Sequence, residues 1–147
     1  MAGAAVNRLG FSSVALRDEG KIGAIGLSNV STDQVRHALD GTQIACVQNA
    51  YNLLTRGDEP TLALCAKRGL AYVPFFPLGS AFGWLPRVTD DAIVQDVAAQ
   101  TGSTPVQVGL AWLLAHDPAV LLSPAPGTSS TSRRIWAPRR WSSRRSR

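Results

Sequence analysis

Short apolar runs alternate along the chain with stretches whose apolar residues recur at helical spacing. Residues 21–27 are apolar and flanked by Gly20 and by Ser28-Asn29, which predicts a buried strand. Gly23 and Gly26 within it indicate close approach of other atoms. Ser31, followed three residues later by Gln34, is a capping box. Val35, Ala38 and Leu39 then share a helical face that Asp40-Gly41 ends. Residues 44–48 predict a second strand, and residues 49–57 a loop. Asp58-Glu59-Pro60 predicts a second helix start, with acids at the positive end of the dipole and Pro in the first turn. Leu62, Cys65 and Ala66 form its face and Gly69 its cap. Residues 70–76 predict a third strand, where Pro74 calls for an early end or a bulge. Residues 90–100 are helical in pattern. Thr104-Pro105 with Gln107 opens a further helix carrying Val106, Leu110, Leu113 and Leu114 on one side. Residues 120–122 predict a fourth short strand.

Strands alternating with helices in this order are the pattern of parallel βα units, so the fold class is α/β. The strands read as apolar on both faces, as buried parallel strands do. A doubly wound sheet and a segment of a barrel both satisfy the pattern. No short-period repeat is present, which disfavours a solenoid.

Composition narrows the class further. The 147 residues match one domain, and 45% hydrophobic residues suffice for a core. No apolar run is long enough to predict a membrane span, and the first ten residues lack the pattern of a secretory signal. Cys46 and Cys65 are too few for a disulfide framework and fit a reducing cytoplasm. The net charge of +5 is unevenly spread. Residues 133–147 hold seven Arg and no acid, which leaves eight basic and ten acidic residues, or −2, for residues 1–132. The chain thus divides into a mildly acidic body, residues 1–132, and an Arg/Trp-rich tail, residues 133–147, expected to be disordered.

Five motifs in order carry a family resemblance. Gly20-Lys21-Ile22-Gly23-Ala24-Ile25-Gly26-Leu27-Ser28-Asn29 resembles the GKIRxIGxSN segment of aldo-keto reductases. Val47-Gln48-Asn49-Ala50-Tyr51-Asn52-Leu53-Leu54 resembles their VQNxYNLL, and Phe76-Pro77-Leu78-Gly79 their SPLG turn. Thr104-Pro105-Val106-Gln107-Val108-Gly109-Leu110-Ala111-Trp112 is similar to SPAQVALAW, and Pro126-Gly127-Thr128-Ser129-Ser130 to IPGTSS. The resemblance implies a partial (β/α)8 TIM barrel, roughly strands five to eight with their helices, since a whole barrel takes about 250 residues. It implies a carbonyl or aldehyde oxidoreductase that uses NADP(H), and no metal.

In such barrels ligands sit at the carboxyl ends of the strands, where Ser28, Asn29 and Gln48 fall. The resemblance makes these three the partners of the nicotinamide carboxamide, whose one acceptor and two donors suit Asn and Gln. It places Phe75 against the nicotinamide ring. Leu78, Gly79 and Ser80 would follow the pyrophosphate, and Gly127, Thr128 and Ser129 the phosphate end of the adenosine site. Read without the resemblance, Ser28 and Asn29 cap the next helix, Phe75 is core, and Asp58-Glu59 and Asp90-Asp91 are helix starts. His37 and His116 read as solvent-facing, and no Cys/His spacing fits zinc.

The family's proton-donating Tyr, and the Lys, Asp and His that support it, belong to the first half of the barrel and match nothing here. Tyr51 and Tyr72 lie in second-half motifs and are not general acids. The resemblance therefore implies a truncated enzyme without catalytic residues, inactive alone. Its cut edges imply self-association or pairing with a missing N-terminal half as its partners, with no membrane partner and nucleic acid disfavoured. The tail is consistent with a shifted reading frame: joining the last base of each codon to the first two of the next lets residues 133–143 read ENLGAAAVEL, a helical string with the family's Glu-Asn pair. The alternative is a non-catalytic half-barrel binding module. Its seven Arg, with Trp136 and Trp141, would then contact nucleic acid.

Overall fold

Side chains meet the backbone amides that open three of the four longer helices, and this punctuates the chain into βα units. In the computed structural model, which describes residues 13–80 and 83–123, the first element is a short helix, α1 (Ser13–Asp18), which the apolar pattern does not announce. Strand β1 (Gly26–Ser28) leads to α2 (Thr32–Gly41), and β2 (Cys46–Ala50) to α3 (Glu59–Arg68). Strand β3 (Ala71–Phe75) leads through a 3-10 turn at Val88–Asp90 to α4 (Ala92–Thr101) and α5 (Pro105–His116). Ser31 and Thr104 both form complete capping boxes with Gln34 and Gln107, as the sequence predicts. Gly69 ends α3 in the left-handed conformation, φ 67°.

The strands form one parallel sheet in the order β1-β2-β3. The predicted strands shift when the ladder is read. The first is not residues 21–27 but three residues long, because the amides of Lys21 and Ile22 donate to Leu16 O at the end of α1 and are not available to a ladder. The second begins and ends two residues later than predicted, and Asn49 and Ala50 pair with Pro74 and Phe75 instead of looping. The third is complete through Pro74. Tyr72, two residues before it, takes its backbone bonds from the far side of β3, donating to Ala119 O and accepting from Leu121 N. Pro74 faces that same side, so its missing N–H costs no bond to β2. The fourth strand is reduced to a single parallel bridge, Tyr72 with Val120.

Both faces carry apolar residues, as the sequence predicts, but only one of them is buried. Leu27, Val47, Asn49, Tyr72 and Pro74 point toward the helices, and all but the half-buried Leu27 are buried. Gly26, Ser28, Cys46, Gln48, Ala50, Ala71, Val73 and Phe75 point the other way and are exposed or half-buried. The core lies under the helix-covered face, where Val35, Val47, Tyr51, Leu62, Cys65, Leu70, Tyr72, Leu113 and Val120 pack together. Each Val or Leu buried there contributes about 1.5–3 kcal/mol. The opposite face is open. Among the described residues no helix is long and apolar enough to cross a membrane.

Candidate functional site

Three of the predicted site residues meet where β1 ends beside the middle of β2, so Gln48 does not stand at the end of its strand as the sequence predicts. Ser28 and Gln48 are register partners and both are exposed on the open face. Asn29 follows directly, exposed, with its amide donating to Gln48 O at 2.9 Å. Its backbone is left-handed, φ 55°, a conformation that Asn tolerates better than most residues. The turn lifts the chain off the sheet into the Ser31 cap. Ser28 therefore does not cap the helix, and Asn29 acts before the cap, not as it.

Phe75 lies on the same face, next to Ala50 in register and two residues beyond Val73, the partner of Gln48. It is half-buried, and its ring meets that of Phe76 edge-on with centroids 5.2 Å apart. Phe76 also has a left-handed backbone, φ 54°, a far less common state for an aromatic residue.

The loop that follows is tightly self-bonded. Gly79 N–H donates to Phe76 O at 2.9 Å, and Leu78 O accepts from Val88 N–H at 3.0 Å. Gly79 has φ 90°, and a Cβ there would stand 2.1 Å from the Pro86 carbonyl oxygen. The close approach that glycine permits here is thus to Pro86 of the same loop. Ser80 is 1% exposed, beneath the loop and not on its surface. Gly127, Thr128, Ser129 and the tail of residues 133–147 lie outside the described residues.

Behind the open face runs a polar network that the motifs alone do not disclose. Asn49, 6% exposed, accepts from Val30 N–H at 3.0 Å and donates to Val30 O and to Asp58 Oδ2, both at 2.7 Å. Asp58 also accepts from Tyr72 OH at 2.6 Å and from the Thr61 hydroxyl, which meets Thr32 Oγ1 at 2.8 Å. Asp58 stands at the start of α3, as the sequence predicts. Its side chain makes no cap bond and instead ties β2, β3 and α3 together. On the other side of β2, buried Asn52 donates to Phe76 O at 3.0 Å and accepts from Leu54 and Thr55 N–H.

Tyr51 donates to Glu59 Oε1 at 2.6 Å, and His116 Nε2 lies 3.1 Å from both Glu59 oxygens. His116 stacks on Trp112 with centroids 4.5 Å apart, and the Arg56 guanidinium covers Trp112 at 4.4 Å. His116 is exposed, as the sequence predicts, but its ring is also held between Glu59 and Trp112. His37 is exposed. Burial, then the hydrogen bonds to Glu59 and Asp58, push the Tyr51 and Tyr72 hydroxyls far above the ordinary phenol range. Both are buried among the helices and stay protonated as donors to carboxylates, which leaves neither disposed to act as a general acid. Among the described residues no three His, Cys, Asp or Glu side chains gather as metal ligands.

These features have counterparts among known proteins. The Aldo/keto reductase family profile matches residues 14–134. Pyridoxine 4-dehydrogenase of Escherichia coli K12 is 46% identical over 117 residues, which are 80% of this chain and 38% of that protein. An uncharacterized oxidoreductase of Schizosaccharomyces pombe is 36% identical over 120 residues, 81% of this chain and 37% of its own length. The crystal structure of the thermostable aldo-keto reductase Tm1743, solved with the inhibitor epalrestat, superposes with a TM-score of 0.69 at 30% identity. That match covers 83% of this chain and 44% of that one. Aldose reductase from Giardia lamblia shares the fold, with a TM-score of 0.67 at 23% identity over 83% of this chain and 40% of that one. The chain thus spans less than half the length of the relatives it matches. With ordered motifs, parallel βα units and a family match across most of its length, the chain belongs to the aldo/keto reductase family.

Proposed function

We propose that these residues form strands five to eight of an NADP-dependent aldo-keto reductase barrel and hold its cofactor. One observation carries this reading: Ser28, Asn29 and Gln48 come together, exposed, on the open face where β1 ends beside the middle of β2, toward the end of the sheet at which ligands of such barrels sit. Their donor set fits the group. A carboxamide offers one acceptor and two donors, and a hydroxyl with two side-chain amides can answer all three. Phe75, on the same face, supplies an aromatic surface at that end of the sheet. Bound NADPH would supply the hydride. The residues of this chain bind and orient; Ser28, Asn29 and Gln48 fix the carboxamide end, and the Leu78-Gly79-Ser80 turn bounds the site beyond Phe75.

The proton for the reduced carbonyl is not provided here. Tyr51 and Tyr72 face the helices and are committed to Glu59 and Asp58. A placed proton donor contributes about 100- to 10,000-fold, so these 147 residues by themselves lack carbonyl reductase activity. Both thiols are free, in keeping with a reducing cytoplasm.

The test is an NADPH titration followed by fluorescence, with Asn29→Ala and Gln48→Ala alongside the wild type, and an aldehyde-reduction assay on the same samples. We expect binding that both substitutions weaken, and no turnover. Unchanged affinity in both variants would reject the assignment. So would turnover abolished by Tyr51→Phe.

A further inference from the structure

We propose that Asn49 and Asn52 are a pair of positioning residues that set the two left-handed turns on either side of the open face, at Asn29 and at Phe76. The inference rests on the cofactor reading only for the purpose of the turns. The geometry of the turns stands without it.

Both asparagines sit at the end of the central strand and reach outward in opposite directions. Asn49 grips Val30 by both its N–H and its carbonyl, immediately after the φ 55° backbone of Asn29. Asn52 grips the carbonyl of Phe76, whose own φ is 54°. These are the two non-glycine residues with positive φ among the described residues, and each is bound by one of the two asparagines, directly or at the next residue. A left-handed backbone is unfavourable for a residue that carries a side chain, so such a state persists only where its surroundings hold it.

The residue type follows from the task. Asn49 must accept from Val30 N–H and donate to Val30 O at once, which a carboxylate or an aliphatic side chain cannot do. Its second N–H goes to Asp58, which is itself fixed by Tyr72 and Thr61. The amide therefore has one orientation: turned over, it would present N–H to Val30 N–H and oxygen to the Asp58 carboxylate. Asn52 is likewise satisfied on both ends, donating to Phe76 O and accepting from two amides of its own turn. Each is buried, 6% and 0% exposed, so neither touches a ligand on the open face. They act through the residues that do: Asn49 through Asn29, Asn52 through the Phe75-Phe76 corner.

The experiment uses the full chain, labelled with 15N. Backbone three-bond couplings report φ at Asn29 and Phe76, and amide exchange reports the Val30 N–H. With Asn49→Ala, Val30 exchange should rise about tenfold, the loss of one hydrogen bond, and the Asn29 coupling should leave its left-handed value while that of Phe76 stays. Asn52→Ala should do the reverse. A merely structural role would move both turns together, and that result would overturn the proposal, as would two unmoved couplings. Should Asn49→Ala fail to fold, Asn49→Asp keeps the volume but sets a second carboxylate against Asp58. The Asn29 coupling should shift in that variant while that of Phe76 stays, because a carboxylate cannot donate to Val30 O; an Asn29 coupling that stays at its left-handed value overturns the proposal. NADPH titrations on the same samples separate the two readings. Absence of binding to the wild type counts against the cofactor reading, while the couplings decide this one.

Discussion

Gln48 and Asn49 are consecutive on β2 and serve opposite sides of it: Gln48 is exposed on the open face, and Asn49 is 6% exposed beneath the helices. The pleat enforces this division, because successive side chains of a strand point to opposite faces. One dipeptide thus contributes a ligand-facing amide and a buried amide that shapes the neighbouring turn. A one-residue slip of β2 would exchange the two roles and bury Gln48 with no partner prepared for it.

The left-handed turn at Asn29 can be separated from its side chain. Asn29→Gly keeps the conformation, and Asn29→Ala strains it. In urea titrations the Ala variant should be less stable than the Gly variant by about 1 kcal/mol. Both should bind NADPH more weakly than the wild type, because both lack the amide.

Gly79 has no room for a side chain. An added Cβ would stand 2.1 Å from Pro86 O and 2.8 Å from Arg87 Cα, at φ 90°. Gly79→Ala should cost about 1–3 kcal/mol in thermal or urea unfolding and speed amide exchange at Val88, whose N–H bonds to Leu78 O.

The two cysteines should differ sharply toward a thiol reagent. Cys65 is fully buried, and burial, followed by the nearby Asp58 charge, pushes its thiol up to about 11. Cys46 is half-buried on the open face. At pH 8 a chromogenic disulfide should modify one thiol per native chain, mapped by mass spectrometry to Cys46, and reach Cys65 only after denaturant is added.

Glu59 makes the acid limb of stability. Desolvation raises its carboxyl, but the hydrogen bonds from Tyr51 and His116 outweigh this and hold it below the ordinary carboxylate value. A group whose pKa is lower in the folded state stabilises above its unfolded pKa of about 4.3 and loses that contribution as the pH falls through the folded value. The wild-type urea midpoint should therefore fall below about pH 4.3 more steeply than that of Glu59→Gln. Parallel acid limbs in the two proteins would show that the Tyr51-Glu59-His116 contacts do not operate in solution.

The sequence discloses helices better than strands here, for a physical reason. Capping boxes and left-handed caps are local, so Ser31 with Gln34 and Thr104 with Gln107 mark their helices without reference to the rest of the chain. Strand ends depend on partners far away in sequence. Asn49 and Ala50 look like loop until Pro74 and Phe75 are placed beside them, and residues 21–25 look like strand until Leu16 claims two of their amides. The site divides in the same way. Ser28 and Asn29 are legible as strand-end polar residues and Gln48 as part of a motif, and the structure sets Gln48, at the middle of its strand, beside Ser28. The burial of Ser80, the bracing by Asn49 and Asn52, and the Glu59-His116 pair arise between elements and have no local signature.

The open face also has a profile in volume. At its lowest rung Gly26, Cys46 and Ala71 stand in register, and even a methyl group on Gly26 would press on Cys46 Sγ at 2.8 Å. One level up are Ser28, Gln48 and Val73, and above them Ala50 and Phe75. The floor of the face is therefore hollow and its rim is broad. Protein interiors are filled to a packing density of about 0.75, so any layer that closes over this face must be large where the floor is small. A second copy laid level against the first would set small residues against small ones and enclose a void.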